Sequence, residues 1–257
     1  MPTAPDDLRR VTAEPLGRTV PVPGARLRLI CFPHSGAAPT ALRWAQAVAP
    51  DIEVWHAVLP GRAGRADEPF ATRWEPLVTE FADAVQARVG GPYALFGQSL
   101  GAMVAFEVAR ELQRRGAPPV HLITSASAAP DGRLPVEVPA DDQELIRTVD
   151  RHYAGIPAEV LAVPELLAYF LPPLRADLEL AAAYRYAAGP RLGFPVTAFA
   201  GDRDLTVPAA ALAGWHAHTA ADCEIHRLDG GHFCLGDHEE QVLAVIRRRL
   251  GADRYDR

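Results

Sequence analysis

Short apolar runs alternate with longer amphipathic stretches along most of the 257-residue chain. The apolar runs predict six strands, at 26–33, 53–60, 93–99, 121–127, 194–202 and 223–230. The amphipathic stretches predict helices at 40–48, 74–89, 100–115, 209–219 and 239–250. Strands that alternate with helices are typical of a mostly parallel sheet covered on both faces. We therefore expect an α/β fold, formed as one domain over residues 1–257.

One segment interrupts this alternation, between the fourth and fifth predicted strands. Residues 136–188 contain several short helical patterns, among them PAEVLAV and PELLAYFLPPLRADLELAAAYRY, and no convincing strand. Open α/β sheets bind ligands at the carboxyl edge of their strands, where an inserted segment can cover the site. We expect residues 136–188 to form a helical lid over that edge; the alternative is a set of helices that only pack against the sheet.

The charge balance narrows the class of partner. The chain has 26 basic residues, all of them arginine, against 32 acidic ones, which gives a net charge of -6. An acidic chain whose longest basic run is 247–249 is not expected to bind nucleic acid. The N-terminus lacks the apolar core of a signal peptide, and no apolar run reaches the length of a membrane span. We expect a cytoplasmic protein that makes no membrane contact and acts on small molecules or proteins.

The cysteines predict neither a disulfide framework nor a metal site. Cys31, Cys223 and Cys234 form an odd set without CxxC spacing. Disulfide-rich domains and zinc sites need paired or closely spaced cysteines. We expect these thiols to be reduced.

The sequence GQSLG at 97–101 follows an apolar strand and precedes an apolar-faced helix. This is the pattern of a nucleophile elbow, in which a sharp strand-to-helix turn lifts a serine above the edge of the sheet. Side chains at Gly97 and Gly101 would collide with neighbouring backbone, so glycine is needed at both positions. The turn presents the hydroxyl of Ser99 and leaves the N–H of Leu100 free at the start of the helix, as a donor for an oxyanion.

A serine nucleophile needs a base and an acid that orients the base. In this fold both follow later strands, first the acid and then the histidine. The loop after the strand at 194–202 offers Asp204 and Asp202, and we prefer Asp204 because Asp202 is placed to brace the turn. The loop after the strand at 223–230 offers His232 and His238, and we prefer His232 because it follows the strand end and two glycines, whereas His238 lies beside the next helix.

The second oxyanion donor is expected from the loop after the first predicted strand, PHSGAAPT. The candidates are the backbone N–H groups of Gly36 and Ala37. His34 in the same loop is assigned a structural role.

Five stretches together resemble one family: FPHSGA, LPGRAGRADEP, FGQSLGA, LPPLRADLELAAAYRY and GGHFCL. The chain is similar, from Leu29 to Leu250, to the type II thioesterases of polyketide and nonribosomal peptide synthetases, members of the α/β-hydrolase superfamily. The PGRAGR loop and the LPPLRAD helix are the more diagnostic stretches. The chain departs from the family pattern at Gln98, Ser35 and Cys234, which puts the shape of the pocket and the acyl preference in question.

The resemblance implies that Ser99, Asp204 and His232 form a catalytic triad that needs no metal or cofactor. It implies a substrate class, acyl groups stalled on the phosphopantetheine arm of acyl- or peptidyl-carrier proteins, on which the chain would act in trans. Arg62 and Arg65 could then contact an acidic carrier, or form an ion pair within their own loop with Asp67 or Glu68.

Three alternatives stay open at this point. The same triad could serve an ester or lipid hydrolase, or a medium-chain thioesterase of fatty-acid synthesis. A hydrolase-like fold could also have become a non-catalytic binding protein, which a Ser99→Ala variant would distinguish. We expect a monomer, because the sequence contains no long heptad pattern.

Overall fold

A seven-stranded sheet forms the centre of the protein in a computed structural model that describes residues 14–18, 20–48, 50–156 and 158–251. The strands are β1 (Leu16–Arg18), β2 (Leu27–Phe32), β3 (Ile52–Ala57), β4 (Tyr93–Gln98), β5 (His121–Ser125), β6 (Val196–Gly201) and β7 (Cys223–Leu228). Their order across the sheet is β1-β3-β2-β4-β5-β6-β7. All neighbours are parallel except β1, which pairs antiparallel with β3. The predicted α/β fold with a mostly parallel sheet is confirmed.

The six predicted strands are present with shifted ends, and β1 is an addition. This edge strand has only three residues, and its register places Leu16 opposite Ala57. A strand of three residues that includes a glycine gives no periodic signal, so the sequence could not reveal it.

The described part of the chain contains seven α-helices: α1 (Trp74–Arg88), α2 (Leu100–Arg114), α3 (Asp142–Tyr153), α4 (Ala158–Ala162), α5 (Pro164–Ala183), α6 (Ala209–Ala213) and α7 (Glu239–Arg249). The helix predicted at 40–48 is instead a 3₁₀ segment, Pro39–Ala47, because Leu42 has non-helical dihedral angles that interrupt it. The helix predicted at 209–219 is shorter, since α6 changes at Gly214 into a 3₁₀ turn that ends at Ala217.

The alternating side chains of the central strands supply two cores, one on each face of the sheet. Leu95 of β4 packs in the same cluster as Phe81 of α1 and Val104 of α2. Its neighbour Phe96 packs on the other face, in the same cluster as Ile246 of α7. Successive strand residues point to opposite faces, so a strand buried on both sides reads as a continuous apolar run.

The chain between β5 and β6 carries helices α3, α4 and α5 and, in its described part, no strand within 136–188. These helices have a separate small core that includes Leu145, Val149, Leu174 and Leu178. We call α3, α4 and α5 the helical cap. Among the described helices, none has the length and hydropathy required to cross a lipid bilayer.

Candidate active site

Ser99 occupies a strained turn between β4 and α2. Its φ of 54° and ψ of -118° lie outside the helical and extended regions that L-residues prefer. A Cβ on Gly97 would lie 2.2 Å from the carbonyl oxygen of Gly101, and one on Gly101 would lie 2.1 Å from that of Phe32. Both glycines are therefore required by close backbone contact, as the sequence pattern predicts.

Three side chains from separate loops meet at this turn in one chain of hydrogen bonds. The Nε2 atom of His232 lies 3.0 Å from the Oγ atom of Ser99. On the other side of the ring, Nδ1 lies 2.8 Å from the Oδ2 atom of Asp204. The loops after β6 and β7 thus bring Asp204 and His232 to the serine, because the carboxyl ends of parallel strands share one edge of the sheet.

Thr206 is a further member of this network that the sequence interpretation missed. Its N–H and its hydroxyl donate to Oδ1 of Asp204, at 2.9 and 2.7 Å. The same hydroxyl lies 3.2 Å from Nδ1 of His232. Burial of the Asp204 carboxyl raises its pKa, but the contacts with His232 and Thr206 outweigh burial and hold the pKa below its ordinary value. The carboxylate therefore stays ionised beside the imidazole.

The two rejected candidates lie elsewhere in the fold. Oδ1 of Asp202 accepts a hydrogen bond of 3.0 Å from the N–H of Gly230, so this carboxylate braces the turn as expected. The ring of His238 donates to the carbonyl oxygen of Asp229, at 2.8 Å. Neither side chain belongs to the network around Ser99.

Both candidates for the second oxyanion donor already make hydrogen bonds in the structure. The N–H of Gly36 donates to Oδ2 of Asp177 in helix α5, at 2.8 Å. The N–H of Ala37 donates to the carbonyl oxygen of His34, at 3.2 Å. Both candidate donors are therefore already used, one by the helical cap and one by the turn within the loop.

Asp177 connects the cap to two loops of the sheet edge. The guanidinium of Arg62 donates two hydrogen bonds to its carboxylate, of 2.7 and 2.6 Å. The side chains are only 7% and 4% exposed, so this is a buried, bidentate ion pair. Asp177 also holds Gly36, so a single carboxylate fixes α5 to the loop after β2 and to the loop that contains Arg62.

The two arginines of the PGRAGR loop are not docking contacts in this structure. Arg62 pairs with Asp177 of the cap, which neither interpretation of the sequence predicted. Arg65 is 3% exposed and donates to Glu68, at 2.8 Å, as the interpretation of a loop-internal ion pair expected. Both guanidinium groups are buried and paired with carboxylates, so they have no free surface to offer a partner protein.

The cap closes a narrow cavity over Ser99. The cavity measures about 40 Å³, whereas a single water needs roughly 10–15 Å³ on the same measure. Tyr153 of α3 packs edge-on against the ring of His232, with the ring centres 4.8 Å apart. His34 also lines the cavity, and burial lowers its pKa to about 4, although its hydrogen bond to Gln98 opposes this. The cavity around the serine is thus small, with room for only a few water molecules.

A serine on a strand-to-helix elbow, with aspartate and histidine on the loops after later strands, defines this chain as an α/β-hydrolase fold. A family model described as Thioesterase domain matches residues 27–250. The chain belongs to the thioesterase family.

Similar proteins support this assignment. The chain is 36% identical to the thioesterase PikA5 of Streptomyces venezuelae over 236 residues, covering 90% of this chain and 83% of PikA5. It is 37% identical to the AMB antimetabolite synthetase AmbE of Pseudomonas aeruginosa, covering 98% of this chain but only 12% of that protein. The solved structure of the type II thioesterase BorB from the borrelidin biosynthetic cluster is 31% identical, covers 91% of this chain and 95% of BorB, and has a TM-score of 0.81. The resemblance to type II thioesterases is confirmed.

Proposed function

We propose that this protein hydrolyses acyl thioesters from the phosphopantetheine arm of carrier proteins in a polyketide or nonribosomal peptide synthetase system. The observation that carries the proposal is the hydrogen-bonded chain of Ser99, His232 and Asp204 beneath the helical cap. The relatives support the substrate class, since BorB is a type II thioesterase from a biosynthetic cluster. On this proposal the whole chain acts as one domain, and residues 136–188 are its lid.

The geometry supports a two-step mechanism. His232 takes the proton of the Ser99 hydroxyl through Nε2 while its Nδ1–H donates to Asp204, which keeps the ring in the required tautomer. The serine oxygen attacks the thioester carbonyl, the C–S bond breaks, and the thiol leaves with the proton from His232. Water, activated by the same histidine, then cleaves the acyl-serine ester and releases the acid. These steps need no metal or cofactor.

The oxyanion is stabilised by backbone donors. The N–H of Leu100 begins helix α2 directly after the serine, where the helix dipole adds to its effect. With Gly36 and Ala37 engaged, we assign the second donor to the N–H of Ser35, which lines the cavity together with Ser99 and Leu100. Asp177 acts as a positioning residue, because it fixes Gly36, the residue that follows this donor.

The phosphopantetheine arm has a route to the serine. A groove between the cap and the loop after β2 is lined by residues that include Gly61, Phe70 and Pro172. It shares His34 and Phe170 with the cavity at Ser99, so the two spaces adjoin. An extended arm that lies in this groove would place its thioester beside the serine. The narrow cavity beyond it favours short acyl groups over the medium-length chains of fatty-acid synthesis.

Intact-mass analysis of an acylated carrier protein tests the proposal. The wild-type protein is expected to remove the acyl mass from the carrier faster than it hydrolyses the matching acyl-CoA, and a Ser99→Ala variant is expected to leave the carrier acylated. An unchanged acyl-carrier together with turnover of oxygen esters would contradict the proposal in favour of an ester hydrolase. No turnover of either substrate class would indicate a binding protein.

A further inference from the structure

Arg133 is a charged side chain in the cavity wall that the mechanism does not use. It follows β5 in the loop before the cap and lines the cavity together with Ser99 and Tyr153. Its guanidinium carbon lies 5.8 Å from the centre of the Tyr184 ring. Of the described residues that line this cavity, Arg133 is the one with a permanent charge.

No carboxylate in the described part of the chain forms an ion pair with Arg133. The acidic groups nearest to its tyrosine neighbours have other partners. Glu107 accepts from the hydroxyl of Tyr184, at 2.6 Å, and pairs with Arg110. Asp204 is held by His232. In the same fold, buried Arg62 and Arg65 are both matched by carboxylates, whereas the partly exposed Arg133 in the cavity wall is not.

A guanidinium in this position has unused capacity for hydrogen bonds. Burial lowers the pKa of Arg133, but arginine remains protonated at neutral pH. Removing a charge from water is costly unless an opposite charge and hydrogen-bond acceptors replace the water. A face-on aromatic ring compensates only part of this cost. A carboxylate that entered the cavity could form a planar, bidentate pair with Arg133.

The position of Arg133 indicates which part of the substrate it would contact. The groove assigned to the phosphopantetheine arm meets the cavity at His34, Gly155 and Phe170, and Arg133 does not line that groove. Arg133 shares the inner cavity with Tyr153 and the cap residues Leu178 and Ala181, which do not line the groove. The phosphate of the arm is at the opposite end from the thioester sulfur. The acyl group, and not the phosphate, is therefore the part that reaches Arg133.

We infer that Arg133 binds a carboxylate on the acyl group, and that the protein selects short acyl thioesters which carry such a carboxylate. This inference rests on the proposed function, since it assigns a substrate class to the same site. The carboxylate would remain unreacted, while attack by Ser99 breaks the thioester bond as before.

Matched acyl pairs test the inference. Malonyl and isovaleryl groups have the same chain length and branching, with an isopropyl group in place of the carboxylate, and so do succinyl and 4-methylpentanoyl groups. Each would be presented on a carrier protein and on N-acetylcysteamine, which has no phosphate. The ratio of kcat/KM for the charged over the neutral member would be measured for wild type, Arg133→Gln and Arg133→Lys. Arg151→Gln is the matched control, because Arg151 is an exposed arginine on the cap.

We expect Arg133→Gln to lower this ratio 10- to 100-fold for at least one pair, on both the carrier and N-acetylcysteamine. Arg133→Lys should retain part of the preference, and Arg151→Gln should retain all of it. An unchanged ratio in Arg133→Gln would overturn the inference. A loss shared by charged and neutral acyl groups on the carrier but absent with N-acetylcysteamine would identify the phosphate as the anion, and would also overturn it.

A binding experiment separates this inference from the proposed function. Calorimetry with Ser99→Ala would compare malonyl- and isovaleryl-N-acetylcysteamine, and likewise the longer pair, without turnover. The inference is supported if Ser99→Ala binds the charged member of a pair more tightly and the double variant, Ser99→Ala with Arg133→Gln, binds both members equally. This result would support the inference even if wild type hydrolyses no acyl-carrier. Equal binding of both members of each pair would overturn it, even if hydrolysis is rapid.

Discussion

The buried ion pair between Arg62 and Asp177 allows a quantitative test of how the cap is fixed above the active site. An Asp177→Ala variant removes both guanidinium contacts and also the acceptor for the N–H of Gly36. Because Arg62 is 7% exposed, its charge would stay buried without a carboxylate. The variant therefore combines the cost of an unpaired buried charge with the loss of one backbone hydrogen bond at the junction of cap and sheet.

The expected loss of stability follows from these contacts. Removing one partner of a buried ion pair costs roughly 3–5 kcal/mol, and leaving the partly buried N–H of Gly36 without its acceptor adds roughly 1 kcal/mol. For a protein of this size each kcal/mol corresponds to roughly 2–4 °C in melting temperature, so the midpoint should fall by roughly 8–24 °C. An Asp177→Asn variant keeps the shape and one acceptor, so it should lose less.

Equilibrium unfolding in urea would measure these differences, with two companion variants. Glu179→Ala removes an exposed carboxylate from the same helix, and its free energy of unfolding should stay within roughly 0.5 kcal/mol of wild type. A double variant, Arg62→Met with Asp177→Leu, removes both charges and fills the space with apolar groups. Such replacements are often neutral or stabilising, so the double variant should recover most of the lost stability.

Activity and stability should separate in the double variant. Leucine at position 177 cannot accept the N–H of Gly36, so kcat should remain below the wild-type value although the fold is restored. An Asp177→Ala variant within roughly 1 kcal/mol of wild type would refute the reasoning. The same conclusion would follow if the double variant were less stable than Asp177→Ala.

Three further predictions concern the site itself. Asp204→Asn should lower kcat for acyl-carrier hydrolysis by roughly 10⁴-fold, because His232 is then held in the wrong tautomer. Gly101→Ala should abolish activity and lower the urea midpoint, since its Cβ would lie 2.1 Å from a backbone oxygen of β2, whereas a Cβ at Gly236 meets nothing within 4 Å. His34 is neutral in the fold down to about pH 4 but protonated when unfolded below about pH 6.5, so stability falls as pH falls through this window. His34→Gln should remove on the order of 3 kcal/mol of that pH dependence in unfolding experiments at pH 4 and pH 6.5.

Each of these predictions has a contradicting result. A loss of less than tenfold in Asp204→Asn would show that another group orients His232. A Gly101→Ala variant as active and as stable as Gly236→Ala would show that the elbow has room for a side chain. An unfolding free energy that depends on pH equally in wild type and His34→Gln would place the ring in water.

The positions of Ser99, Asp204 and His232 could be predicted because each lies at the end of a strand or in the loop that follows one. Apolar runs reveal the strands, and the fold brings their carboxyl ends to one edge, so residues far apart in sequence become neighbours. The glycines at 97 and 101 add a local steric signal.

The partner of Gly36 could not be predicted, because Asp177 lies 141 residues away in the cap. Neither residue type nor spacing indicates that a helix of an insertion will reach the loop after β2. The choice of Gly36 and Ala37 as oxyanion donors stays a prediction, made without knowledge of these hydrogen bonds. Thr206 had a weak signal, since Asp-x-Thr is a common turn in which the carboxylate accepts from the residue two positions later.

Arg133 had no sequence signal, because a single arginine in a polar loop has the pattern of a solvated residue. Its place in the cavity depends on the path of the chain between β5 and α3. The role of such an arginine can be inferred only from the three-dimensional structure. The structure shows which residues surround it and that the nearby carboxylates have other partners.

Trapping of the acyl-enzyme would test the central claim most directly. The protein would be mixed with an acyl-carrier in ¹⁸O-labelled water, quenched in acid within milliseconds to seconds, and mapped by peptide mass spectrometry. The account predicts one acyl mass on the peptide that contains Ser99, its absence in Ser99→Ala, and one ¹⁸O atom in the released acid. An acyl group on any other residue, or release of labelled acid by Ser99→Ala at the wild-type rate, would contradict it.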